Sequence, residues 1–113
     1  MSRPGLEALE RALATAGDAD DALRAVVAEL VRLPGIHWAA ILFLENGELE
    51  VGPQAGTPHG ARRVRTPIAF RGDPVGELAV DGDADAALLE QVAELVSPYV
   101  LLGWDTGGEA WAP

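Results

Sequence analysis

Asn46-Gly47 dictates the geometry of the middle of this chain. The dipeptide tolerates the two positive φ values of a type I′ turn. It separates an apolar run, Trp38 to Leu44, from a half-polar return through Leu49 and Val51. The combination predicts a β-hairpin over 36–45 and 48–53. With a two-residue loop the register follows: Leu44 faces Leu49, Phe43 faces Glu50 and Leu42 faces Val51. The first strand is apolar on both faces and suits the inside of a sheet, whereas the second is apolar on one face and suits an edge.

Before the hairpin, Leu6, Leu9 and Leu13 recur at helical spacing among alanines, which predicts a helix over 5–16 closed by Gly17. Asp18 is placed to cap a second helix over 18–33. Asp20 and Asp21 favour its positive end, Leu23, Val26, Val27, Leu30 and Val31 form its apolar stripe, and Pro34-Gly35 stops it. Capping accounts for the three aspartates, so no metal site is assigned to them. After the hairpin, Gly52 to Gly60 is too rich in glycine and proline to continue a regular strand and reads as a loop.

Val64, Thr66, Ile68 and Phe70 then alternate with Arg63, Arg65 and Arg71. A turn at Arg71-Gly72-Asp73-Pro74 leads into Val75 to Val80, giving a second hairpin over 62–70 and 75–81. The arginines read as solvated charges that discourage edge-to-edge pairing, in preference to an anion site. Asp81, Asp83 and Asp85 imitate the opening of a calcium loop. Ala86 and Val92 stand where that loop needs glycine and a bidentate glutamate, so the geometry is missing. Asp83 or Asp85 instead caps a helix over 84–102, whose stripe is Leu88, Leu89, Val92, Leu95, Val96, Tyr99 and Val100, with a kink expected at Pro98. Residues 103–113 read as a flexible tail in which Trp104 packs back on the core and Trp111 is loose or crosses to a partner.

Helix, helix, hairpin, hairpin, helix makes an α+β domain: an antiparallel sheet covered on one face by helices. A length of 113 residues suits one core and not two. No apolar run approaches the roughly 20 residues that span a bilayer, and the opening MSRPGLEALER lacks the pattern of a secretory leader, so a cytoplasmic location is expected. The net charge of −10 disfavours binding to nucleic acid or to an anionic membrane. All eight basic residues are arginines, which fits the coding bias of a GC-rich bacterial genome. There is no cysteine, which removes thiol nucleophiles, disulfides and thiolate metal sites together.

Several stretches together resemble GAF domains, and among them the small proteins that reduce free methionine-R-sulfoxide. Leu33-Pro34-Gly35, His37-Trp38, Gly47-Glu48-Leu49 and Gly52-Pro53-Gln54-Ala55-Gly56-Thr57-Pro58 follow the order of that family's motifs. Thr66-Pro67-Ile68 and Val75-Gly76-Glu77-Leu78-Ala79-Val80-Asp81 do so farther on. The resemblance implies a GAF/PAS-like, profilin-like sheet of about four strands in the order 2-1-4-3, with the N- and C-terminal helices on one face. It implies regulatory or signalling work rather than turnover here, because the family's cysteine position falls near His59-Gly60. Thiol-based reduction has no nucleophile in this chain. Of the two carboxylates on the family's last strand only Asp81 is kept, Ala79 replacing the other. The connection between Pro58 and Pro67 is also shorter than the insertion that roofs a full GAF pocket, which disfavours deep cofactor binding. No cofactor, catalytic residue or metal ligand is assigned.

Strand alternation places Ala39, Ile41 and Phe43 on one face, with Gly52 and Gln54 opposite, away from Leu42, Leu44, Leu49 and Val51. Asp81 joins that face if the last strand pairs with the first as the resemblance implies. A reduced ligand site is thereby drawn around Phe43, Gln54, His59, Arg63 and Asp81. The competing reading, favoured here, makes these core and edge residues beneath a loop. His37 and His59 are too few for the usual three-ligand zinc site and read as ordinary surface histidines, and Trp38 reads as core rather than a stacking platform. Two functions follow. One is a non-catalytic interaction module, a homodimer through its helices or the ligand of a protein partner; the other is a small-molecule sensor.

Overall fold

The elements are α1 (Pro4–Thr15), α2 (Ala19–Val31), β1 (Ile36–Glu45), β2 (Glu48–Gly56), β3 (Arg63–Phe70), β4 (Asp73–Gly82) and α3 (Ala86–Ala110). This computed structural model describes residues 4–58 and 62–110, with side chains over 7–58 and 62–101. The four strands form one antiparallel sheet in the order β2-β1-β4-β3. α2 lies against β1 and β2, α3 against β3 and β4, and α1 packs on α2 as an outer layer.

Local chemistry explains the turns and caps. Asn46 and Gly47 take φ values of 51° and 82°, and the hairpin pairs Leu44 with Leu49, Phe43 with Glu50 and Leu42 with Val51, as a two-residue loop requires. The second hairpin repeats the device at Arg71 and Gly72, with φ values of 52° and 85°. β4 therefore begins at Asp73 rather than 75. Pro74 is tolerated there because β4 pairs with β1 only as far as Gly76. Asp18 Oδ1 accepts from the Asp21 amide at 2.8 Å to start α2, and Asp85 Oδ1 accepts from the Ala87 amide at 3.0 Å to start α3.

Pro98 lies inside α3 and cannot donate to the Glu94 carbonyl one turn back; the Ser97 hydroxyl donates to that oxygen instead, at 3.0 Å. α3 then continues to Ala110, past the expected end at 102, because each residue added to a formed helix closes a further hydrogen bond. The side chain of Trp104 and all of Trp111 lie outside the described residues.

The apolar stripes of all three helices converge on one face of the sheet. Leu9, Leu23, Val26, Leu30, Leu89, Val92 and Val96 bury there against Ile41, Phe43, Ile68, Leu78 and Val80. The opposite face carries a smaller cluster of Trp38, Ala40, Leu42 and Ala79, with Leu49 at its margin. No described helix is long and apolar enough to cross a membrane.

Candidate functional site

The second sheet face, which the helices leave uncovered, is built from strand parity and two register shifts. β2 does not end at 53. It runs on to Gly56 through a bulge, because Leu42 pairs with Val51 whereas Ala40 pairs with Gln54, so that one extra residue is accommodated near Gly52 and Pro53. The shift moves Gln54 to the Trp38 face, overturning its expected place beside Phe43. Asp81 arrives on the same face because β4 pairs Ala79 with Ala40 and Asp81 with Trp38. A second bulge, between Ile68 and Ala69, brings Arg63 directly opposite Asp81.

Three of the five residues expected at a site thus meet around Trp38. The Asp81 side chain is fully buried, and both its oxygens accept from Arg63: Nε at 2.7 Å to Oδ1 and Nη2 at 2.9 Å to Oδ2. The Arg63 guanidinium also lies 4.5 Å from the centre of the Trp38 ring. The indole N–H of Trp38 donates to Gln54 Oε1 at 3.0 Å, which orients the ring. Hydrogen bonding to Asp81 raises the Arg63 pKa above its ordinary value, with desolvation opposing, so the arginine stays cationic.

Phe43 is not in this cluster. It is buried on the helix side, where its ring covers Gly52. The favoured reading of the Phe43 face as core therefore describes Ala39, Ile41 and Phe43. His59 lies outside the described residues, and His37 is exposed. Trp38 is buried, as read, yet it is also the ring beneath a guanidinium. The arginines of β3 are not simply solvated edge charges, since Arg65 Nη1, opposite Ala79, lies 3.7 Å diagonally from Glu77 Oε1, opposite Pro67. Sequence reasoning left Glu77 out of the site. That Glu77 oxygen is buried and accepts no hydrogen bond among the described residues.

The carboxylates that imitate a calcium loop disperse: Asp81 to Arg63, Asp83 to Arg62, and Asp85 to the α3 cap. Asp18, Asp20 and Asp21 bring carboxylate oxygens within 4.8 Å of one another, but Asp18 caps α2 and Asp20 binds Arg24 Nε at 3.0 Å.

Solved structures share the fold that carries this face. The GAF domain of an Acinetobacter phosphoenolpyruvate-protein phosphotransferase superposes with a TM-score of 0.72, over 96% of this chain and 99% of its own, at 14% sequence identity. The fold is that of a GAF domain. Two reductases share the GAF fold with this chain as well. The fRMsr of Staphylococcus aureus, in complex with substrate, matches with a TM-score of 0.66 over 88% of this chain and 97% of its own, at 17% identity. The type II free methionine-R-sulfoxide reductase from Thermoplasma acidophilum matches at 0.63 over 74% and 92%, at 19% identity. No protein-family model matches the chain, and no curated protein does. At these identities the likeness speaks to the GAF fold alone. The chemistry of this GAF face rests on Trp38, Gln54, Arg63, Glu77 and Asp81.

Proposed function

We propose that the chain is a non-catalytic, regulatory GAF-fold module that acts by contact with a second copy of itself. The observation that carries the non-catalytic reading is the Asp81 carboxylate, fully buried and held through both oxygens by the chain's own Arg63. A carboxylate so neutralised is not poised as an acid or base, and with no cysteine in the chain a thiol cycle has no starting nucleophile. Incubation with free methionine-R-sulfoxide and a dithiol reductant is expected to yield no methionine; stoichiometry above one product per chain overturns the reading.

The contact surface is argued from what the core leaves over. The helical stripes are consumed internally, and Val51 is the only large hydrophobic side chain strongly exposed among the described residues, at 59%. Among the surfaces left over is a groove of about 690 Å³ between α1 and α2, lined by Ala8, Ala12 and Ala25 and by Arg11, Asp21 and Arg32. Small residues permit close helix approach, and both charge signs on one surface make it self-complementary under a two-fold axis. Sedimentation equilibrium is expected to show a concentration-dependent dimer that Ala12→Arg abolishes. A monomer mass at every concentration sinks this part.

A second reading, a small-molecule sensor, is favoured by a different observation. Glu77 and Val51 both flank Leu42 on the open face, one with a buried acceptor that meets Arg65 only at 3.7 Å and accepts no hydrogen bond among the described residues, the other with an exposed apolar side chain. Such a surface is incomplete in both polar and apolar terms. Some metabolite in a broad panel is then expected to raise the melting temperature of the wild-type protein.

A further inference from the structure

The walls around the Arg63 head group come from strands other than its own. Asp81 sits on the central strand β4 and is fully buried. Trp38 sits on the other central strand, β1, is 7% exposed, and has its ring held by the Gln54 hydrogen bond. Arg63 comes from outside this frame. It is the first residue of the edge strand β3, and its side chain keeps 34% exposure although its two inner donors are engaged. A carboxylate fork on one side, an aromatic face on a second and solvent on a third form a slot shaped for a flat cation with paired N–H donors. An ammonium group uses the carboxylate as a point charge but offers neither the planar fork nor the stack. A carboxylate this deeply buried is costly without a cation opposite it, so the slot favours occupancy by a cation.

We propose that the slot between Trp38 and Asp81 is a binding site for the guanidinium group of a small molecule, which the resting chain fills with its own Arg63. The proposal rests on the sensor reading and names its ligand class; the dimer reading is independent of it. Arg63 acts as a tethered competitor. A ligand binds the wild-type chain with an affinity reduced by the fraction of time that Arg63 leaves the slot, and a short tether corresponds to millimolar effective concentrations.

The test uses agmatine as the alkylguanidinium, butylurea as a neutral urea, putrescine as the control for agmatine's ammonium group, which should behave like butylurea, and the full chain carrying Arg63→Ala or Arg63→Gln. The second variant retains a stem over Trp38 and an amide donor toward Asp81 should the alanine variant fail to fold. Thermal melting and the Trp38 indole N–H signal in NMR are the readouts. Agmatine is expected to stabilise either folded variant saturably and to move the indole signal, with an apparent affinity at least about tenfold tighter than for wild type. Butylurea should do neither, and adding Asp81→Asn should abolish the response.

Equal responses to agmatine and butylurea, or equal agmatine affinities in wild type and variants, overturn the proposal. An anionic metabolite that alone stabilises the wild type keeps the sensor reading and overturns the guanidinium class. Silence of the wild type and both variants to every compound overturns both.

Discussion

Gly52→Ala tests the structural decision that separates the two sheet faces. A Cβ on Gly52 falls 2.2 Å from Phe43 Cε2, 2.8 Å from Cδ2 and 3.0 Å from the Ile41 carbonyl oxygen. Real Cβ atoms do not approach ring carbons so closely, and the ring has nowhere to retreat. Phe43 is 2% exposed and packed in the helix-side core. The backbone at Gly52 is not in the left-handed region, so the penalty is steric rather than conformational. Overpacking of this kind costs about 1–3 kcal/mol, out of a total stability of roughly 6–17 kcal/mol for a chain of this length.

Phe43→Leu alone removes ring volume and should cost less than the ~3–5 kcal/mol of truncation to alanine. Combined with Gly52→Ala it vacates the space that the new methyl needs. The double variant should therefore be more stable than the sum of the two single effects predicts, by about 1 kcal/mol or more. Equilibrium urea denaturation with unchanged m-values measures all three. A Gly52→Ala variant within about 0.5 kcal/mol of wild type, or strictly additive changes, refutes the placement of Phe43 over Gly52 and with it the separation of Phe43 from the Asp81 face.

Pro98→Ala restores the backbone donor that α3 lacks and should stabilise the protein by about 1–3 kcal/mol in denaturant melts. Ser97→Ala should cost about 1 kcal/mol in the wild type, because Glu94 O then loses the hydroxyl that replaces that donor, and much less in the Pro98→Ala background. Asp18→Ala should cost about 1 kcal/mol by removing the 2.8 Å cap on α2, read by the same melts. Asp81→Asn should destabilise the domain more than Glu77→Gln, since the first breaks two short hydrogen bonds to a buried carboxylate and the second only a 3.7 Å contact to an arginine whose side chain is 57% exposed; the reverse order in melting temperature contradicts the account of the open face.

Local signals carried most of the fold. Asn46-Gly47 specifies its hairpin because the positive φ values and the two-residue loop are properties of adjacent residues, and the helical stripes repeat within a turn or two. The site was legible as a set of residues and not as an arrangement. Counting from the turn places Gln54 on the Phe43 face, and counting fails at a bulge; Asp81 is assigned there only through the pairing of the last strand with the first that the resemblance implies, which fixes no register. The available signal was Pro53: a proline within an otherwise apolar return argues for a bulge as much as for a loop, and a bulge sends every later residue to the opposite face. The Arg63–Asp81 pair needed the second bulge as well, at Ile68–Ala69, and the β1–β4 register, which joins strands distant in the chain and leaves no local trace. Trp38 was read correctly as buried, but burial on the helix-free face makes it a platform too.

The open face is graded, and the gradient follows from where each pair sits along β3 and β4. At the Trp38 end, a short aspartate side chain on a central strand is sealed by an arginine stacked on an indole, and the hydrogen-bond capacity of the carboxylate is engaged. Two pairs along, Glu77 is longer, its partner Arg65 lies over no aromatic ring among the described residues, and the two separate to 3.7 Å, with Oε1 buried and accepting no hydrogen bond from those residues. Beyond Leu42 the face ends at exposed Val51. The face is thus closed at one end, where Arg63 stands opposite Asp81, and looser at the other, where Arg65 stands opposite Ala79 and reaches Glu77 only diagonally. The aromatic ring accounts for the difference: it gives the guanidinium a second favourable face, so that Arg63 gains more by lying down than Arg65 does, and a planar cation that competes for the slot must match both contacts at once.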